Sequence, residues 1–199
     1  MLYVIYITHV KMLKIDFSNM PVGANKLKFA LKFYANIIRT WYKLKIKSPW
    51  VKYNGFVRIM PGTTFARFDI RIGDRVQFGK DCKVNYNVHF GNSILMATRV
   101  SFVGKKDHCY DIPEKYVWDT TGDRNGLTII EDDVWLGFGV IVCGPVKIGK
   151  GSIVAAGSVV TKDIPPCEIW GGIPAKKIRN RFNSNEDTIR HINYLENKK

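Results

Sequence analysis

Ile130-Glu131-Asp132-Asp133-Val134-Trp135-Leu136-Gly137-Phe138-Gly139-Val140-Ile141-Val142 has an apolar residue at every sixth place, and the series continues through Ile148, Val154 and Val160. The same step runs upstream through Ala66, Ile72, Phe78, Val84, Phe90, Met96 and Phe102. All thirteen positions are apolar; at the chain's 46% apolar content, chance would produce that about four times in a hundred thousand. Four residues after each of them except Phe102 comes a second small or branched side chain: Ile70, Val76, Cys82, Val88, Ile94 and Val100, then Val134, Val140, Val146, Ser152, Ser158 and Ile164. Glycine follows the first position at Gly73, Gly79, Gly91, Gly137 and Gly149.

A helix would show spacings of three and four, and a half-buried strand would alternate by two, so a period of six is neither. It describes a strand and a corner. One aliphatic side chain points inward, the chain turns at a small or Gly position where φ can become positive, and the next strand begins. Three such units close a triangular coil, and stacked coils bury one continuous aliphatic column. The expected fold class is therefore an all-β solenoid, with roughly four coils from the hexads counted.

Outward from the repeat, the register breaks once. The 28 residues from Phe102 to Ile130 are not a multiple of six, so residues 103–129 read as a loop extruded from the coil. Long loops in compact domains are usually functional. Upstream, Lys26 to Lys45 places Leu27, Leu31, Tyr34, Ile38, Trp41 and Tyr42 at helical spacing among basic residues, as in an amphipathic helix. Downstream, Pro165-Pro166 ends the repeat, and Ala175 to Tyr194 reads as one or two helices able to cap the column. The chain thus divides into a basic N-terminal segment with a helix (1–57), the solenoid with its loop (58–165), and a turn with a helical tail (166–199).

With 199 residues, 46% apolar and 13% aromatic, the chain can bury a core, which excludes a fully disordered protein. The net charge of +14 is uneven: residues 1–50 hold nine Lys or Arg against Asp16 alone, or +8, and the remaining 149 residues carry +6. Cys82, Cys109, Cys143 and Cys167 include no close pair, so neither a disulfide framework nor a zinc framework is indicated. Met1 to Ile7 is apolar but short for a bilayer, with no basic residues before it and no small-residue cleavage site after it. A cytoplasmic protein is expected. For the basic segment, two readings stand: a helix capping the solenoid's end, or a peripheral contact with the anionic inner face of a membrane. Nucleic acid is not an expected partner, since no nucleic-acid module is present.

The hexads, together with Ala155-Ala156-Gly157-Ser158-Val159-Val160-Thr161-Lys162-Asp163-Ile164-Pro165 and Gly172-Ile173-Pro174-Ala175-Lys176-Lys177-Ile178-Arg179, resemble the hexapeptide-repeat acetyltransferases. Within them, the sugar and polysaccharide O-acetyltransferase branch is the most similar. The resemblance covers about residues 58–180. It implies a left-handed parallel β-helix, a homotrimer with active sites between neighbouring subunits, and acetyl-coenzyme A as co-substrate, with no metal.

Acetyl transfer to a hydroxyl needs a base, because an alcohol is a poor nucleophile, and histidine suits that task. The chain has four: His9, His89, His108 and His191. His108 lies in the extruded loop, where the resemblance places a catalytic histidine; Asp107, Asp111 and Glu114 are nearby candidates to orient it, alongside a backbone carbonyl. Asn85 matches an acceptor-binding asparagine, Asn87 stands two residues on, and Trp118 offers a face for a sugar ring. On the cofactor side the resemblance assigns Trp135 and Phe138 to the pantetheine path, Ala156 to the small position beside it, and Thr161, Lys162, Lys176 and Arg179 to the nucleotide end.

The rival readings are an N-acetyltransferase on an amino sugar, an antibiotic-acetylating enzyme, and a non-enzymatic β-helix binding module. A γ-type carbonic anhydrase would need three zinc-binding histidines, and only His89 and His108 fall near the solenoid.

Overall fold

A computed structural model describes residues 22–123 and 125–197, with Ile15, Phe17 and Met20 from the preceding stretch. His9 and Met1 to Ile7 lie outside the described residues. The first coil is β1 (Lys52–Tyr53), β2 (Val57–Ile59) and β3 (Thr64–Phe65); the second is β4 (Ile70–Ile72), β5 (Val76–Phe78) and β6 (Lys83–Val84). Next comes β7 (Val88–Phe90), β8 (Leu95–Met96) and β9 (Ser101–Gly104), then the loop. The fourth coil is β10 (Thr128–Ile130), β11 (Trp135–Leu136) and β12 (Ile141–Gly144), and the fifth β13 (Lys147–Ile148), β14 (Ile153–Val154) and β15 (Val159–Val160). A partial sixth coil ends in β16 (Glu168–Gly171), β17 (Lys176–Asn180) and α2 (Asn185–Asn197).

The strands stack into three sheets: β1-β4-β7-β10-β13, β17-β16-β14-β11-β8-β5-β2, and β15-β12-β9-β6-β3. All pairings are parallel except β16 with β17. This is the solenoid that the hexads predict, extended by more than one coil beyond the roughly four expected. Twelve of the thirteen first positions are buried, as are all twelve second positions. Ala66 is the exception. Phe65 takes the inward place instead, pairing in register with Val84, because the first coil is one residue longer than the second. Phe65, Phe78, Phe90 and Phe102 climb the column as successive edge-to-face rings, with centroids 5.3, 5.3 and 5.1 Å apart.

The corners differ from the expectation. The glycines after the inward positions are not the left-handed residues; they sit where the next coil leaves no room for a side chain. A Cβ on Gly79 would lie 2.3 Å from the Ala97 carbonyl oxygen. The left-handed residues follow later, and they line two of the three corners: Arg75, Ser93, Asp133 and Gly151 at one, Asp81, Arg99, Gly139 and Gly157 at the other. At the first of these corners an Asx ladder satisfies the backbone, with Asp132 accepting from Asn92, Asn92 from Asp74, and Asp74 from Phe56.

Helix α1 (Lys26–Trp41) starts at Asn25, whose side chain accepts from the N–H groups of Leu27 and Lys28. A π-helical turn over Tyr42–Lys47 follows. The helix closes the open end of the column. Ile59 donates its N–H to the Thr40 hydroxyl, Arg39 Nε donates to the Ile59 carbonyl, Lys43 Nζ donates to the Thr63 carbonyl, and Leu44 is buried. The inward face is Phe29, Phe33, Ile37, Thr40 and Leu44, whereas Leu27, Leu31, Tyr34, Ile38, Trp41 and Tyr42 are exposed.

The C-terminal reading is corrected over residues 176–180, which form strand β17 rather than helix. Gly172, at φ 97°, turns the chain back so that the free edge of β16 is paired. Only α2 is helical, and it docks on the outside of the column rather than across its end. His191 Nε2 lies 2.9 Å from Asp133, Arg181 lies 2.6 Å from the same carboxylate, and Lys150 lies 2.8 Å from Glu196.

Candidate active site

The extruded loop runs between β9 and β10 at the corner that joins the third sheet to the first. Its base is wedged by Tyr86, a buried side chain against which Gly104, Gly126 and Gly144 pack so closely that a Cβ on any of them would come within 3.1 Å of the ring or its hydroxyl. Burial pushes the Tyr86 phenol up, and the Asp123 and Asp107 carboxylates add to that. Asn87 ties the loop's return: its Nδ2 donates to the Gly126 carbonyl, and its Oδ1 accepts the Asp69 N–H.

Above the base, Thr120 laces the two arms of the loop together. Its buried hydroxyl accepts the Cys109 N–H at 3.1 Å and lies 2.8 Å from the carbonyls of Cys109 and Val117. Gly122 N–H donates to the Asp107 carbonyl at 3.1 Å. This brings the Thr120 carbonyl 2.8 Å from His108 Nδ1. A carbonyl can only accept, so Nδ1 carries the proton, and in the neutral imidazole the lone pair is then on Nε2. The orienting group is thus a backbone carbonyl twelve residues away, and not Asp107, Asp111 or Glu114. Thr120 was not singled out by sequence, where a threonine in a polar loop carries no signal.

Other predicted residues gather at the same corner. Asn85 is exposed one coil below the loop base, since Val84 pairs with Phe102. Thr161 accepts from Lys105 Nζ through its carbonyl, which links the loop to the fifth coil, and exposed Lys162 follows it. Trp118 lies on a short 3-10 turn, Val117–Asp119, and is 90% exposed.

A second group lies elsewhere on the prism. Trp135 faces outward from the second sheet, and Phe138 stands exposed at the corner between the second and third sheets, with the Arg99 guanidinium 5.9 Å over its ring. Ala156 lies at the same corner one coil on, so close to Gly137 that a Cβ there would come within 2.6 Å of the Ala156 nitrogen. Lys176 and Arg179 are exposed on β17, which extends the second sheet; Arg179 donates to the carbonyls of Asn180 and Arg181. The width of the third sheet separates this apolar and cationic track from the His108 loop. His89 faces outward from the first sheet, 2.8 Å from Asp69. Among the described residues no three His, Cys, Asp or Glu side chains gather as a metal site.

Residues 127–162 match the bacterial transferase hexapeptide family (six repeats), in keeping with the hexapeptide-repeat solenoid described above. It is 34% identical over 128 residues to a chloramphenicol acetyltransferase of Klebsiella aerogenes, which covers 58% of this chain and 56% of that one. It is 35% identical over 121 residues to a galactoside O-acetyltransferase of Lactococcus lactis, covering 53% and 58%. Among solved structures, a hexapeptide-repeat acetyltransferase of Vibrio cholerae complexed with acetyl-coenzyme A superposes with a TM-score of 0.50 at 25% identity, covering 81% of this chain and 92% of that one. The chain spans little more than half the length of the curated relatives it matches.

Proposed function

We propose that the protein transfers an acetyl group from acetyl-coenzyme A to a hydroxyl of a sugar or polysaccharide precursor, with His108 as general base. The observation that carries this reading is the bond from His108 Nδ1 to the Thr120 carbonyl, on a loop that holds the imidazole outside the column. The acceptor oxygen attacks the thioester carbonyl as Nε2 takes its proton. The tetrahedral intermediate then expels the coenzyme's thiolate, which receives that proton from Nε2. A C–O ester bond has formed, a C–S bond has broken, and the neutral imidazole is restored.

The co-substrate would be held by the second group of residues. Trp135 and Phe138 supply apolar surface for pantetheine beside the small Ala156, and Lys176, Arg179, Lys162 and Thr161 supply charge and polarity for the nucleotide phosphates. On one chain most of this track lies across the third sheet from His108, so a site shared between neighbouring copies of a homotrimer brings the two together. Asn85 and Trp118 would then contact the acceptor. The similarity to a chloramphenicol acetyltransferase favours one second reading, an antibiotic hydroxyl as the acceptor, served by the same base.

The test is consumption of acetyl-coenzyme A by the full chain against sugars, nucleotide sugars, lipid-linked oligosaccharides and chloramphenicol, with the product assayed for an alkali-labile ester and the particle mass measured in solution. A carbohydrate ester from a trimer is expected. An amide product would assign an N-acetyltransferase, turnover of chloramphenicol alone would assign the antibiotic reading, and absence of coenzyme A binding would leave a binding module.

A further inference from the structure

Helix α1 is apolar on two sides. One side, Phe29, Phe33, Ile37 and Leu44, closes the column. The other, Leu27, Leu31, Tyr34, Ile38 and Trp41, forms a continuous stripe at spacings of four, three, four and three, and each of these residues is between 49% and 68% exposed. Tyr42 and Ile46 carry the exposed apolar surface on into the π-helical turn. Capping alone explains the first side and leaves the second without a role.

Charge points to the occupant of the second. Between Asp16 and Asp69 the chain has no Asp or Glu and ten Lys or Arg. Lys28 and Lys32, both exposed, flank the stripe, and with Arg58 and Asn36 they also line a cleft of about 560 Å³ between α1 and the first coil. A second copy of the helix laid on the stripe would set these cations against their own kind. An anionic lipid surface accepts all three features together: aliphatic side chains at the acyl boundary, Tyr34, Trp41 and Tyr42 at headgroup depth, and lysines among the phosphates. Among the described residues no helix is long and apolar enough to cross a membrane, so the contact would be peripheral. We infer that the outer face of α1 docks the protein on an anionic membrane surface, its inner face remaining the cap of the solenoid. This inference does not depend on acetyl transfer.

The full chain is sedimented with vesicles of phosphatidylcholine alone, or of phosphatidylcholine mixed with phosphatidylglycerol. It should co-sediment with the anionic vesicles only, and less as salt rises. The variant Leu31→Ser/Ile38→Ser/Trp41→Ser should bind about a hundred-fold more weakly or worse. The variant Lys28→Gln/Lys32→Gln should bind about thirty-fold more weakly. Both should keep the melting temperature and particle mass of the parent chain. Equal binding to the two vesicle types, or unchanged binding by the apolar variant, overturns the inference. So does failure of the full chain to bind, whether the stripe then proves to be covered by residues 1–21, by another copy (seen as a changed mass in the apolar variant), or by a protein partner.

Discussion

Replacing Thr120 by Val keeps the side chain's shape and removes its hydroxyl. The hydroxyl accepts the Cys109 N–H and lies 2.8 Å from two carbonyls, in a side chain almost wholly buried within the loop. Leaving such buried partners unmatched costs about 1–3 kcal/mol. Because these bonds hold the two arms of the loop together, the cost falls on the loop conformation that sets the Thr120 carbonyl against His108 Nδ1. If that arrangement is needed only for proton transfer, 1.4 kcal/mol corresponds to about tenfold in rate, so kcat should fall about 5- to 150-fold. Coenzyme A affinity should stay within about threefold, since the proposed groove residues other than Thr161 and Lys162 lie away from the loop. The column does not include Thr120, so the urea midpoint should be nearly unchanged. Thr120→Ser keeps the hydroxyl and should restore most of kcat, which separates positioning from packing. Steady-state kinetics with coenzyme A calorimetry decide it. A Val variant as fast as the parent, or a Ser variant as slow as Val, refutes the assignment of Thr120 as a positioning residue.

Three further outcomes follow from the geometry. Phe90→Ala removes the middle of the edge-to-face ring series and should cost about 3–5 kcal/mol in urea unfolding; a loss under about 1 kcal/mol would show that the rings are not a packed column. Cys82 and Cys167 are buried, and burial pushes both thiols, and that of half-buried Cys143, up; a disulfide reagent should therefore modify loop Cys109 first and reach Cys82 and Cys167 only on unfolding, against which rapid titration of all four thiols in the native protein would count. Arg71 and then His89 hold the Asp69 carboxyl below its ordinary value, so its contribution is present above about pH 4 and is lost as pH falls through the lowered value. All three side chains are partly exposed, so Asp69→Asn should cost under about 1 kcal/mol at neutral pH, the gap closing in acid; a gap that widens in acid contradicts the pairing.

The coils were legible because each repeats the same demand on its neighbours: one inward side chain per strand must fill the same column. Ala66 falls outside the column because the first coil has an extra residue, which shifts the register just where the series begins. The glycines after inward positions are plain in the sequence, but their cause is not. Sequence shows that a side chain is absent there, and only the stacked coil shows that the space is taken by a backbone such as that of Ala97. In α1 apolar residues occupy both sides, so periodicity alone could not tell the packed side from the exposed one. Residues 176–180 hold charged and apolar residues in an order compatible with helix, and the free edge of β16 settled the matter in favour of a strand. In the loop, the break of register and His108 were visible, whereas the bond to the Thr120 carbonyl was not, because a backbone acceptor leaves no mark in the residue type.

In the proposed reaction His108 Nε2 carries the proton during acetyl transfer. The most direct test compares the full chain with His108→Ala, using the best acceptor found in the screen, and measures turnover together with coenzyme A binding. Turnover should fall about a hundred- to ten-thousand-fold, with coenzyme A affinity essentially unchanged. A variant that keeps more than about a tenth of the parent's turnover while binding coenzyme A normally would contradict it.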